Sequence, residues 1–591
     1  MKLIQKKISI SMFISSALLL ALPRQARADQ IVWDGGPYGS GYEWGDTRAV
    51  NWVGDVNPGP SDEAYFPPSF WRTSFEMLSP QTVETVAMAN PTNFTFKAIS
   101  PNTLSFTNLR FEDADNRVVT NTFQGTFFIG KNSTWQVDGK KLMLFGSGSI
   151  STIGESESLV KTGSGTVRIT AAFNPTGAVT VAEGKLILGD SAALIKGERI
   201  TIGDGVSEAA METRFTNGQN LGYYAGAIVT INTNATLMLR NTSSSLGTLY
   251  PETYIINGGA LDAGGNTLHM YNVTNTINRI MSLTMTGGVI SNGAVTVNGP
   301  DNPPLPAILS TKASVRTARI EAGVNFSGYR TQVLVEDGAA PVDLDITGVI
   351  NGNMQFTKTG AGTLALSHAA GNTIFRTGQS LNIEGGTLLI DNIAGQGNGS
   401  NTVAVLAGAT LGGIGLLYGG VSPANTGHGL QGNVNLSSAN PSAPATLAPG
   451  TIDRESGEFV PGVFRVGLNI AQTNHVNFGA NTALRIRLSR DPEETPRVAV
   501  VGEIILNAAT ALEIVSPGAS RPAGRHVVAT FAQRLRGRFG ETRLNGAEMP
   551  GNLRLEYLDS SGEKVAGAAD IIGAGSIVLD VPQENTMLIV R

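Results

Sequence analysis

One short motif occurs twice, each time in the same surroundings. Leu159-Val160-Lys161-Thr162-Gly163-Ser164-Gly165-Thr166-Val167-Arg168-Ile169 matches Gln355-Phe356-Thr357-Lys358-Thr359-Gly360-Ala361-Gly362-Thr363-Leu364-Ala365-Leu366 around a shared Lys-Thr-Gly-x-Gly-Thr core. In each copy a later glycine leads into another apolar strand, Gly184 into Lys185-Leu186-Ile187-Leu188 and Gly385 into Thr387-Leu388-Leu389-Ile390. A strand, a glycine corner and a second strand form a unit too small to bury its own apolar face. Such units become stable by stacking on neighbours of the same kind.

The same grammar runs through the rest of the chain. Ala227-Ile228-Val229-Thr230-Ile231-Asn232 and Ala235-Thr236-Leu237-Met238-Leu239 are apolar at every second position and are separated by Thr233-Asn234. That alternation buries one face of a strand and exposes the other. Glycine is abundant, at 72 residues, which by itself would also suit a disordered chain. Here the glycines punctuate short β-branched runs, the pattern of many strands joined by tight turns. No 12-residue stretch beyond the N-terminal segment carries a clean helical period.

The expected fold is therefore all-β, a right-handed parallel β-helix whose coils pair at ~4.8 Å. Val, Ile and Leu would stack inside it, and Asn and Thr would form ladders between coils outside. Packed antiparallel sandwiches are the competing architecture. The expected divisions are a signal peptide at 1–28, an N-terminal cap region at 29–110, the β-helix repeats at 111–490, and a small C-terminal β-module with a tail at 491–591.

The leader reading rests on Lys2, Lys6 and Lys7, an apolar run over 8–22, and Ala26-Arg27-Ala28 as a small-x-small cleavage site before Asp29. With the leader gone, 42 basic residues less its five (Lys2, Lys6, Lys7, Arg24, Arg27) face 47 acidic ones. Such a surface argues against nucleic acid, whose phosphates are neutralised by lysine and arginine. No later segment approaches the ~20 apolar residues of a membrane helix. The sequence has no cysteine, so an exported chain of this kind must hold by burial and hydrogen bonds alone. The same lack excludes thiolate metal sites and cysteine nucleophiles.

The Lys-Thr-Gly-x-Gly-Thr copies resemble the autotransporter-associated β-strand repeat of bacterial passenger proteins. There a Lys-x-Gly-x-Gly-x-Leu strand is followed by a Gly-x-Leu strand. Lys161, Gly163, Gly165 and Gly184 carry the match in 159–188, and Lys358, Gly360, Gly362 and Gly385 carry it in 355–390. Residues 401–415 and Thr446-Leu447-Ala448-Pro449-Gly450 are similar to the family's continuation into a Leu-x-Pro-Gly turn. Trp33-Asp34-Gly35-Gly36, Trp44 and Asn51-Trp52 are similar to its Trp-rich opening. Trp33, Trp44 and Trp52 would close the end of the solenoid or, alternatively, stack on sugar rings.

The resemblance implies a Gram-negative-type envelope, with the chain at the cell surface, in the extracellular space or in the periplasm. It speaks to fold more than to activity. Family members continue into an outer-membrane barrel of ~10-residue amphipathic strands, and no region here has that pattern. Residues 581–591 are similar to the start of a Pro-Glu-Pro sorting signal without its membrane helix.

Chemistry is hard to find. His269, His368, His428, His475 and His526 are far apart in sequence, without ligand spacing. Gly427-His428-Gly429 is a triplet also met in β-helical polygalacturonases. The Asp motifs that inverting hydrolysis needs are not found upstream of it. Glu112-Asp113-Ala114-Asp115-Asn116 offers oxygens for calcium but lacks the rest of an EF-hand loop. No catalytic, cofactor or metal residue is assigned. The expectation is a structural or adhesin-like solenoid that is not an enzyme, meeting a cell-surface or matrix polysaccharide or an envelope protein. The alternative is a β-helical enzyme that binds or cleaves polysaccharide, its acidic groups converging from different coils.

Overall fold

A computed structural model describes residues 29–583, apart from 35–42, 45–50, 55, 71–72, 153–157, 176, 190–198, 215–227, 241–252, 274–278, 281, 300–308, 329, 353–354, 369–379, 393–401, 418–432, 468–473, 517–521 and 568–569. The leader, the Gly427-His428-Gly429 triplet and the end of the tail lie outside the described residues.

Two parallel ladders run the length of the molecule. Leu159–Thr162, Val179–Val181, Arg199–Ile202, Ile228–Asn232 and Thr253–Asn257 are successive strands of the first. Thr166–Ile169, Gly184–Gly189, Ala209–Arg214, Ala235–Leu239 and Ala260–Asp262 are successive strands of the second. The chain passes from the first ladder to the second and, in coils between 267 and 352 and between 416 and 531, through a strand of a third parallel ladder before it returns, so each coil pairs with the coil before and the coil after. The result is a β-solenoid of more than a dozen turns, with no α-helix among the described residues. No helix among them is long and apolar enough to cross a membrane.

Alternation in the sequence becomes alternation in burial. Ile228–Asn232 and Ala235–Leu239 bury every second residue, and the inward side chains join one apolar core that extends from Trp33 to Val581. Outward polar residues ladder between coils. Thr253 lies 3.3 Å from Ser282, and Thr284 lies 3.0 Å from Ser310. Asn90 and Asn121 exchange amide hydrogen bonds of 3.0 and 2.9 Å inside the protein.

The ladders do not break at 110 or at 490. Gln30–Val32 and Glu63–Phe66 already belong to the first ladder. Beyond 490, Glu503–Leu506 and Arg534–Arg536 extend it, while Thr510–Val515 and Glu541–Leu544 extend the second. At this end the stack is finished by antiparallel pairing. Gly575–Val581 pairs with both Gly524–Phe531 and Arg554–Asp559, and Ile571–Ile572 lies against Arg534–Arg536. Reversed strands at the end of a stack occupy hydrogen-bonding edges that another chain would otherwise find.

Candidate functional site

The two motif lysines point inward. Lys161 and Lys358 are 1% and 0% exposed, because each stands in register with the apolar positions of its strand. The Lys358 ammonium donates to the carbonyls of Gly360 at 2.7 Å, Gly362 at 2.6 Å and Gly385 at 2.8 Å. Lys161 donates to Gly163 and, at 2.8 Å, to Glu183. Each lysine thus plugs its own corner and ties it to the next coil. The stem packs with the apolar core while the head is held by carbonyls, as a buried charge requires. Burial pulls the Lys161 ammonium down to about 7, against the opposing pull of Glu183 and Asp138. It pulls Lys358 down to about 8, against Asp343 and Asp337.

The register revises one expected position. Thr166 pairs with Lys185, and Thr363 pairs with Thr387, so the counterpart of Gly184 is Gly386 and not Gly385. Gly184 and Gly386 both have positive φ, +68° and +61°. A Cβ on Gly386 would lie 2.4 Å from the Gly362 carbonyl oxygen and 2.5 Å from Lys358 Nζ, whereas the nearest atom to one on Gly385 is 3.3 Å away. Gly385 supplies the carbonyl that Lys358 holds, the part Glu183 plays in the first copy, and any residue can supply that. Gly386→Ala is expected to cost about 2–3 kcal/mol through left-handed strain and overpacking. Gly385→Ala should cost less than about 1 kcal/mol. Denaturant unfolding of the two variants side by side checks the assignment.

Where the first ladder passes into the second, several corners are tight and floored by small residues. Gly184, Ala209 and Ala235 follow in register, and Gly259 and Gly288 continue the line ahead of Ala260 and Val289. Together they floor a groove of about 840 Å³ that crosses successive coils, with Glu183, Lys185, Glu208 and Asn234 along it. Lys185 is committed, since its ammonium pairs with Glu212, which also holds Arg214. Burial would raise the Glu212 pKa, but these two cations outweigh it and hold the carboxyl below its usual value. Among the described residues Glu183 and Glu208 form no ion pair. A smaller groove of about 480 Å³ lies on the same edge near the C-terminus, over Ala483, Ala509 and Gly540. There the acids are paired, Glu513 with Arg485 at 2.8 Å and Glu541 with Arg543 at 2.6 Å.

A hairpin crosses the outer face of the second ladder. Thr451–Ile452 and Phe459–Val460 pair antiparallel, and Arg454 reaches from between them to Asp391 at 2.5 Å and Asp345 at 3.4 Å. Arg454 also donates to Ser367 at 3.0 Å and to the Ile452 carbonyl. Ile452 covers Val342, Ala365 and Leu389, a small apolar cluster separate from the main core.

The other residues considered from sequence are dispersed. Trp33, Trp44 and Trp52 are 3%, 0% and 1% exposed. Trp33 and Trp52 meet edge-to-face at 4.9 Å, with Phe66 and Phe75 packed against Trp33. Rings buried to this degree present no face to a sugar. Asp113 and Asp115 turn to Lys141 at 3.1 and 2.7 Å, so an ammonium stands where a cation ligand set would need room. His526 is buried between Thr495 and the Pro522 carbonyl, and burial lowers its pKa. No group of three or more His, Asp or Glu residues able to hold a metal converges among the described residues.

In comparisons with models of known families and with curated proteins, the chain matches neither a family nor a protein. The geometry by itself defines a β-helical repeat protein.

Proposed function

We propose that the chain is an exported solenoid of the autotransporter-associated repeat type, acting at the cell surface or outside the cell as a structural or adhesive scaffold. One observation carries this reading: the charged groups with the most chemical potential are spent on holding coils together. Lys161 and Lys358 are sunk in carbonyl nests, and Arg454 with Asp345 and Asp391 staples a hairpin to the sheet. The aromatic cluster of Trp33, Trp44 and Trp52 closes the first coils in this reading, as a solenoid end requires. The polar ladders then form long faces for a surface polysaccharide or an envelope protein.

A second reading, cleavage of a polysaccharide, has a single observation in its favour. Glu183 and Glu208, from adjacent coils, both line the larger groove, and glycoside hydrolysis uses two carboxylates. A screen of the purified protein on arrayed glycans, run with polysaccharide-degradation assays, separates the two. Binding without cleavage is the expected result. Cleavage abolished by one carboxylate substitution would overturn the scaffold reading.

A further inference from the structure

We infer that His526 is an acid-sensitive latch on the antiparallel cap at the C-terminal end of the stack, and that its protonation releases the cap while the coils behind it hold. The latch is independent of what the outer faces bind.

Its place in the fold is the first argument. His526 lies on Gly524–Phe531, the strand that joins cap to solenoid. One edge of that strand continues the third ladder from Arg497–Val500, and the other pairs antiparallel with Gly575–Val581. A turn of 3-10 helix, Pro492–Glu494, packs on the start of the same strand. The buried imidazole therefore sits where the 3-10 turn, the last parallel strand and the cap meet. Loosening this strand bares the edge of Arg497–Val500 and the inward face of the cap.

Hydrogen bonding is the second. Nε2 lies 3.0 Å from the Pro522 carbonyl oxygen, and Nδ1 lies 2.6 Å from Thr495 Oγ1. A carbonyl only accepts, so Nε2 carries the proton of the neutral ring and Nδ1 accepts from the Thr495 hydroxyl. A second proton, on Nδ1, reverses that bond and leaves the hydroxyl hydrogen without the acceptor it had. Thr495 also closes the 3-10 turn, its amide donating to the Pro492 carbonyl at 3.3 Å. The reversal is thus felt directly in the segment packed over the strand.

Charge is the third. Glu493 and Glu494 are exposed on the 3-10 turn, and Asp491 caps its start. Arg497 donates to the Glu493 carbonyl at 3.3 Å. Arg525 turns outward to Glu556 at 2.8 Å. Asp580 stands opposite Arg525, on the other face of the strand from His526. The partners of the imidazole are a hydroxyl and a carbonyl, and a buried cation with no counter-ion is unfavourable. Burial accordingly holds the His526 pKa below its ordinary 6.5, against the weaker opposing pull of the Pro522 carbonyl. The unfolded segment takes up the proton more readily than the folded one, so the cap loses stability as the pH falls below 6.5. Its opening constant rises by at most about ten-fold per pH unit, the limit for one proton. Glu556, Asp559 and Asp570 are held below ordinary carboxyl values by Lys564, Ser561 and Arg534, so their own losses come at lower pH.

The test is amide exchange of the full chain at pH 7 and pH 5, corrected for the intrinsic pH dependence of exchange, with cap peptides at 524–531 and 575–581 compared with central coils at 228–239. The expected result is loss of protection in the cap at pH 5 and none in the central coils. His526→Gln can still donate to the Pro522 carbonyl but does not titrate, and its cap should be equally protected at both pH values. Circular dichroism checks that the variant keeps its fold; if it does not, the wild-type comparison of cap with central coils still decides. Cap protection that is unchanged at pH 5, that falls equally in His526→Gln, or that falls no more than in the central coils would overturn the latch.

Discussion

Arg454→Ala should free the hairpin over 451–460 from the sheet, at a cost of about 3–5 kcal/mol. The magnitude follows from what stays behind. Asp345 and Asp391 have side chains 3% and 7% exposed, and without the guanidinium two carboxylates remain buried beside each other with no cation. Removing one partner of a buried ion pair costs far more than the pair itself contributes, because the survivor keeps its desolvation penalty. Ser367 still donates to Asp345 and Thr451 to Asp391, so part of the loss is cushioned. Ile452 then lifts from Val342, Ala365 and Leu389, and that apolar patch meets water. In a solenoid the effect stays local, because each coil contacts only its neighbours. The measurement is therefore amide exchange or limited proteolysis at 451–460, not a single melting temperature. Arg454→Met combined with Asp345→Asn and Asp391→Asn should recover much of the protection, since no unpaired charge is left. Unchanged exchange in Arg454→Ala would mean that the hairpin is held by its apolar contacts alone.

Legibility in the sequence followed the range of the interactions. The coils were readable because alternation over four or five residues, as in Ile228–Asn232, reports burial directly, and because Lys161 and Lys358 repeat in identical surroundings. The Gly385 position was misplaced by one. Glu384-Gly385-Gly386 offers two glycines, and only the pairing of Thr363 with Thr387 shows which of them has positive φ. Inter-coil pairing depends on backbone register and continues through 110 and 490, so neither expected division is marked by a break in the ladders. Arg454 was invisible. Its partners Asp345, Ser367 and Asp391 are dispersed along the chain, and a charged loop such as Asp453-Arg454-Glu455 looks solvated until the hairpin is seen folded back over earlier coils. The groove escaped for the same reason, since a line of Gly and Ala contributed by successive coils has no signature within any one of them.

Lys358→Met should destabilise its corner by about 3–5 kcal/mol and, unlike a simple loss of packing, should also change how stability depends on pH. Methionine keeps the stem but leaves the carbonyls of Gly360 and Gly385 without their donor, and an unsatisfied buried acceptor costs about 1–3 kcal/mol. Gly362 keeps a second partner in the Thr387 amide at 3.2 Å. In the wild type, burial depresses Lys161 to about 7 and Lys358 to about 8, both below the ordinary 10.5. Between those values and 10.5 the unfolded chain binds more protons than the folded one, so the free energy of unfolding rises with pH across that window. Below about 7 both lysines are charged in both states, and the burial penalty is present in full. Deprotonation relieves the penalty without emptying the corner, because a neutral amine still donates two hydrogens to its carbonyls. Urea unfolding from pH 7.5 to pH 10, above the range in which the buried His526 adds its own dependence, should show this rise. It should be reduced in Lys358→Met and absent when Lys161→Met is added, although both variants are less stable throughout. A wild-type profile that is flat or falling over the window would mean that the corner ammoniums are not paying for burial, and that the carbonyl nests compensate their desolvation completely.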